Sequence, residues 1–184
     1  SDPEKASRAY EAALTRDGIN VGLLNWDASE VIPAMELAAK YKVPHFFAMG
    51  TSEDIDKYWL ADEKYAYWMG KGWPTPSKLT IAYVDMLEDA IARGIWAPKA
   101  KTVVLYGNDD EWSRCFTKAI GEQLKNAGWE IVDEQYVPVG ETDFYPMLTK
   151  IKADDAALMA GTMDDAAGFP AMIKQAREVG VNSL

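Results

Sequence analysis

"AALMAGTMDDAAGFPAMIKQAREVG", residues 156–180, decides the fold. Its opening "AALMAG" is a short apolar run and reads as a buried strand. "AAGFPAMIKQAREVG" then carries apolar residues at helical spacing and ends in glycine, so it reads as a helix. Between them lies "TMDD", at the strand's exit. An earlier stretch, "NWDASEVIPAM" at 25–35, has the same shape and follows the apolar run "VGLL". Asp27 corresponds to Asp164, and Pro33-Ala34-Met35 corresponds to Pro170-Ala171-Met172.

Working outward, the same alternation fills the chain. "DPEKASRAYEAALTRDG" predicts a helix with Asp2 as cap, Pro3 at its first position and Gly18 as stop. "INVGLLN" predicts a strand, "SEVIPAMELAAKYK" a helix, "PHFFAM" a strand and "KYAYWMG" a third strand after a loop holding Thr51, Ser52 and Glu53. "GKGWPTP" at 70–76 concentrates Gly and Pro, the strongest punctuation in the chain, and predicts a lobe boundary there. Beyond it come a helix capped by Ser77, then "KTVVLYG" (strand), "DEWSRCFTKAIGEQLKNAG" (helix), "WEIVDEQYVP" (strand) and "TDFYPMLTKIKADD" (helix). Strands alternating with helices imply an α/β fold with parallel sheets flanked by helices on both faces. The reading is two Rossmann-like lobes, residues 1–72 and 73–184. In such sheets ligands sit beyond the carboxyl ends of the strands. "NWDAS" and "TMDDAAG" both hold that position, one in each lobe, although a helix start with Asp and a first-turn Pro explains each of them equally well.

Composition narrows the function. The chain has 184 residues, 48% hydrophobic, with a net charge of −10 and its Lys and Arg scattered. A nucleic acid or an anionic lipid surface would call for a cationic face, so neither is expected as a partner. No apolar run reaches membrane-spanning length. The chain opens directly on helix-forming sequence, so either the mature protein begins here or its true start was removed.

Catalysis finds little support, and no cofactor is expected. His45 and Cys115 are the single histidine and cysteine. They make neither a zinc cluster nor a Cys–His pair, and His45, after Pro44 at a strand start, suits a buried structural role. Asp109, Asp110 and Glu111 could hold a metal through carboxylates alone, but a solvated helix N-terminus accounts for the acidic run more simply. Dinucleotide binding needs a glycine-rich turn after a strand. Here "TVVLY" leads into "GNDDEWS", whose acids would repel a phosphate, and "VGLL" leads into "NWDAS", which has no glycine. The loops offer instead indole surface at Trp26, Trp73 and Trp112, suited to a small ligand with an apolar or cationic portion. "MGTS" at 49–52 offers Gly50 for close backbone approach and Thr51 as a hydroxyl donor to a carboxylate.

At this point the sequence resembles a known family. "GETDFYPMLTKIKADDAALMAGTMDDAAGFPAMIKQAREVGV" (140–181) is similar to the type I periplasmic solute-binding proteins of ABC transporters, in the branched-chain (Leu/Ile/Val) amino-acid-binding branch. "YKVPHFFAMGTS" resembles that family's strand and Thr-Ser loop, and "TVVLYGNDDEW" resembles the strand opening its second lobe. The resemblance implies a non-catalytic receptor, periplasmic or extracellular. It would bind an amino acid or similar small carboxylate between two lobes and deliver it to a membrane permease. It places the first-lobe ligand loop on Asp27, Ala28 and Ser29, the ligand-carboxylate loop on Met49, Gly50 and Thr51, and second-lobe covering residues on Trp112 and near Met163. With Trp26 and Asp164 from the strand exits, these make up the expected site. Ala28 stands where the family often has serine, and Trp112 where it has tyrosine, which points toward a bulkier or differently charged ligand. Two alternatives stay open: a ligand-sensing domain of a regulator or receptor, and a Rossmann-like enzyme. Family members carry a strand and helix before this stretch and further strands after it, so the chain resembles a central section of such a protein. On that reading it should bind ligand poorly alone and self-associate through uncovered sheet edges.

Overall fold

The computed structural model describes residues 2–24, 28–47, 50–71, 73–163 and 168–183. They fall into two compact units, Ser1–Pro76 and Ser77–Leu184, each with a three-stranded parallel sheet.

In the first unit, α1 (Pro3–Thr15) begins where Asp2 accepts a hydrogen bond from the Lys5 N–H at 3.0 Å, with Pro3 at the position where a missing N–H costs nothing. Strand β1 (Gly22–Leu24) follows, then α2 (Ala28–Tyr41) and β2 (His45–Phe47). Val31, Ala34, Met35 and Ala38 recur at helical spacing in α2 and are its buried stripe. They share one core with Tyr10 and Leu14 of α1 and with Trp68. At the rim, Glu11 of α1 accepts from both Lys40 (2.8 Å) and the Tyr41 hydroxyl (2.7 Å) of α2.

Two expectations change here. Residues 53–61, read as part of a loop region, form helix α3 (Glu53–Ala61), capped by the Ser52 hydroxyl on the Ile55 N–H at 3.2 Å. Its apolar stripe is too sparse to show in the pattern, since Ile55 is its one buried residue. The stretch "KYAYWMG", read wholly as strand, divides into a 3-10 turn at Glu63–Tyr67 and strand β3 (Trp68–Lys71). Asp62 caps the turn on the Lys64 N–H, and Tyr65 is buried with its hydroxyl donating to Glu36 of α2. That cross-contact holds the segment curled where alternation alone suggested extension.

The sheet runs β1-β2-β3, all parallel, with Gly22 opposite His45 and His45 opposite Trp68. Those residues face the core. The next row, Leu23–Phe46–Met69, points the other way and is 80%, 46% and 42% exposed. Among the described residues the first sheet is covered on one face.

The second unit comprises α4 (Pro76–Ala92), β4 (Thr102–Asn108), α5 (Glu111–Asn126), β5 (Glu130–Val137), α6 (Tyr145–Asp154), β6 (Leu158–Thr162) and α7 (Gly168–Val179). Helix α4 opens at Pro76, so Ser77, expected as its cap, lies inside the first turn. The sheet order is β5-β4-β6. Central β4 is buried on both faces. Val103 and Leu105 pack with Val84 of α4 and Phe116, Ile120 and Leu124 of α5, while Val104 packs with Leu148 and Ile151 of α6 and Met172 of α7. Each such side chain contributes about 1.5–3 kcal/mol when fully buried, which explains why β4 reads as an unbroken apolar run. No helix is long and apolar enough to cross a membrane among the described residues.

Candidate ligand-binding site

Of the expected site residues, Trp26, Asp27, Met49 and Asp164 lie outside the described residues. The others fall around the carboxyl ends of the strands, in one unit or the other.

In the first unit, Ser29 is half-buried in the opening turn of α2. Pro33 lies in the interior of that helix and not in its first turn, as the repeat had suggested. Proline has no N–H, so the Ser29 carbonyl lacks its usual intrahelical donor four residues on. Pro170 stands two residues into the described span of α7.

Beyond β2, Gly50 adopts φ 82°, a left-handed conformation that glycine takes without strain. Thr51 is fully buried, and its hydroxyl donates to the Pro74 carbonyl at 3.1 Å. A hydroxyl has one proton, so in this arrangement Thr51 ties its loop to the Gly/Pro-rich segment and keeps only acceptor capacity. The adjacent Ser52, fully buried as well, is committed to capping α3.

In the second unit, Asp110 caps α5 by accepting from the Ser113 N–H (2.7 Å) and the Ser113 hydroxyl (3.2 Å). Asp109 accepts from Arg114 Nε at 2.6 Å, and the guanidinium beside it holds its carboxyl below the usual range. Glu111 accepts from the Cys115 thiol at 3.4 Å. The acidic run thus builds a helix start, as the simpler of the two readings expects. Trp112 is half-buried: its ring centroid lies 6.1 Å from that of Phe116, tilted by 37°, and it packs on the core beside β4. Part of the indole is left at the strand exit. Met163, directly after β6, is also half-buried and packs on the core under α6 and α7.

Four residues at this edge, Asn108, Arg114, Thr117 and Tyr136, were not singled out from the sequence. Asn108, the last residue of β4, is fully buried and donates to the Pro138 carbonyl at 3.5 Å. The Arg114 guanidinium lies 4.2 Å over the Tyr136 ring, and the Tyr136 hydroxyl shares a 2.6 Å hydrogen bond with Thr117. The Arg114–Tyr136 and Thr117–Tyr136 pairings join α5 to β5, residues more than a helix apart in sequence, so no local spacing signals them.

The "GETDF" and "KQAREVG" motifs of the family resemblance are joined to each other structurally. Gly140 takes φ 88°, and the Glu141 carboxylate accepts from the Thr142 and Asp143 N–H groups at 2.7 and 2.8 Å. Phe144, fully buried, donates its N–H to Gln175 Oε1 at 2.7 Å, and Gln175 Nε2 donates to the Thr142 carbonyl at 2.8 Å. One amide in "KQAREVG" thus pins the "GETDF" turn that starts α6.

Residues 1–183 match the family described as periplasmic binding protein. Among solved structures, the chain is similar to a solute-binding protein of an ABC transporter from Rhodopseudomonas palustris HaA2 in complex with p-hydroxybenzoic acid: TM-score 0.79, 16% identity, 98% of this chain and 45% of that one. A solute-binding protein from Rhodopseudomonas palustris BisB5 in complex with 3,4-dihydroxybenzoic acid gives 0.73 and 23% identity over 98% and 45%. The leucine-, isoleucine-, valine-, threonine- and alanine-binding protein of Brucella ovis gives 0.71 and 17% over 100% and 46%. The chain spans less than half the length of each of these structures. Parallel sheets flanked by helices, the match over nearly every residue and this set of structural neighbours agree: the chain belongs to the periplasmic binding protein family, a family of binding proteins and not of enzymes.

Proposed function

We propose that the chain is part of an extracytoplasmic receptor that binds a small organic carboxylate and hands it to the membrane permease of an ABC transporter. Its two units supply parts of the first and second lobes, and the strand-exit loops supply the ligand contacts. The observation that carries this reading is the family match over residues 1–183, together with strands whose carboxyl ends carry the candidate loops. Ser29, Gly50, Thr51, Trp112 and Met163, with Trp26, Asp27, Met49 and Asp164, are the proposed contacts.

Between an amino acid and an aromatic acid, the exposed part of the Trp112 indole favours a ligand with a flat apolar body. Two of the similar solved structures hold hydroxylated benzoic acids, and a third is named for aliphatic amino acids. With its proton on Pro74, the Thr51 oxygen suits a ligand donor such as a phenol hydroxyl or an ammonium, and backbone N–H groups suit the carboxylate. The test is a thermal-shift and calorimetric panel of p-hydroxybenzoate, 3,4-dihydroxybenzoate, leucine and alanine. It is run on this chain and on the protein that carries it at the length of the solved relatives. A ligand at a hundredfold excess over its Kd stabilises the native state by about 2.7 kcal/mol. The expected result is a shift with a benzoate in the longer protein and a weaker one in the chain alone. Leucine binding with no response to either benzoate would overturn the aromatic reading, and no response to any member would overturn the function.

A further inference from the structure

His45 is the chain's one histidine, and it is buried completely. Its ring stacks face to face on Trp68 of β3, centroids 4.2 Å apart and planes 5° from parallel. The Tyr10 ring of α1 meets it edge-on at 5.3 Å, and the Tyr10 hydroxyl shares a 2.9 Å hydrogen bond with His45 Nδ1. Nε2 is buried and has no hydrogen-bond partner among the described residues. On β1, Gly22 leaves the room the ring occupies, because a Cβ there would lie 2.2 Å from Nδ1. The imidazole therefore joins α1, β1, β2 and β3 at one point.

Among the described residues nothing around the ring carries a negative charge to balance a positive one. From α1 the titratable neighbour is Tyr10, whose hydroxyl burial pushes up to about 12, so it stays neutral. From β1 and β3 come Gly22 and Trp68, and α2 brings the apolar Val31, Ala34, Met35 and Ala38 to the same core. Tyr65 lies in this core too, but its hydroxyl donates outward to Glu36. Glu11, next to Tyr10 in sequence, is turned to Lys40 and Tyr41 at the surface. A protonated imidazole would sit here as an unpaired buried charge, an arrangement proteins avoid by neutralising or exposing the group.

We propose that His45 is an acid-sensitive latch: its neutral ring pins α1 to the sheet that carries the Gly50–Thr51 loop, and its protonation releases α1 and loosens the first unit. Burial pushes the imidazole down to about 4 from an ordinary 6.5. A depressed histidine is neutral when folded and takes its proton more readily when unfolded. Its contribution is therefore fully present above pH 6.5, falls as pH drops below that, and is exhausted near pH 4. Over that window the folding equilibrium should weaken by up to about 300-fold. The Glu11 carboxylate is held below its ordinary range by its hydrogen bonds from Lys40 and Tyr41, and it faces those groups and not the imidazole.

The single histidine makes the test direct. The His45 ring protons are followed by NMR on the 184-residue chain from pH 8 to 3.5, and hydrogen-exchange protection factors are measured for α1 and, as control, α5 of the second unit. The expected result is a native ring that does not titrate near pH 6.5, with α1 losing protection up to about 300-fold between pH 6.5 and 4 while α5 does not. A ring titrating near 6.5 with α1 intact, or α1 and α5 losing protection in parallel, would overturn the latch. In His45→Gln, whose amide does not titrate, the pH dependence of α1 protection in this window should vanish. Its persistence would assign the effect to other groups. If that variant does not fold, the titration in the native chain decides by itself.

Discussion

At the scale of single residues, the first unit is tightly packed where Gly22 and His45 meet. Gly22→Ala forces a methyl into the space of the His45 ring and should cost about 1–3 kcal/mol of stability, read from the urea midpoint. The outcome that would count against this packing is an unchanged midpoint. Thr51→Val removes the bond to the Pro74 carbonyl and should cost about 0.5–1.5 kcal/mol while the volume stays nearly constant. If Thr51 also meets ligand, affinity should fall alongside. The sequence pointed to Thr51 as a hydroxyl free to donate, and it could not show that a carbonyl more than twenty residues away takes the proton. His45 was legible as a buried structural residue because it opens a strand after Pro44. Its Tyr10 and Trp68 partners were not legible, because they come from a separate helix and strand.

At the scale of elements, the joints between helices carry the clearest expectations. Gln175→Ala leaves the buried Phe144 N–H without its acceptor and should cost about 1–3 kcal/mol, measured by chemical denaturation. Gln175→Glu should restore less than half of the loss, because a carboxylate cannot donate to the Thr142 carbonyl. Equal stability of all three proteins would show that the clamp is ornamental. Trp112 joins helix and site: it packs on Phe116, so Trp112→Ala should lower the second unit's stability by about 1–3 kcal/mol and weaken an aromatic ligand more than leucine. A variant that loses stability but keeps the affinity of every ligand would place the indole in the core alone. Most elements were readable from caps and spacing, as with Asp2 and Pro3 for α1 or the four-residue stripe of α2. Helix α3 and the 3-10 turn at Glu63–Tyr67 were not. One is too short and too polar to show a period, and the other is held by the Tyr65 contact with Glu36.

At the scale of the whole molecule, the two sheets differ in cover. The second has cores on both faces, whereas the first presents the Leu23–Phe46–Met69 row to solvent among the described residues. Parallel sheets are normally covered on both faces, and an uncovered apolar one invites association. We expect the isolated chain to scatter light as more than a monomer despite its charge of −10. Replacing Leu23 and Phe46 together by Lys should shift it toward the monomer with unchanged far-UV circular dichroism. A monomeric parent chain would remove this expectation.

The sequence by itself determined the alternation of strands and helices and the parallel α/β class, and its resemblance to known proteins pointed to the family. The alternation and the class follow from periodicity and capping, which depend on neighbours within a turn or a strand. Only the tertiary structure decided which polar groups are already committed: Thr51 to Pro74, Asp109 to Arg114, Gln175 to the "GETDF" turn and His45 to Tyr10. It also decided which face of the first sheet is left uncovered among the described residues. Period-two alternation separates the two faces of a strand but does not say whether anything packs on either. That depends on contacts between segments distant in the chain, and one-dimensional spacing does not encode them.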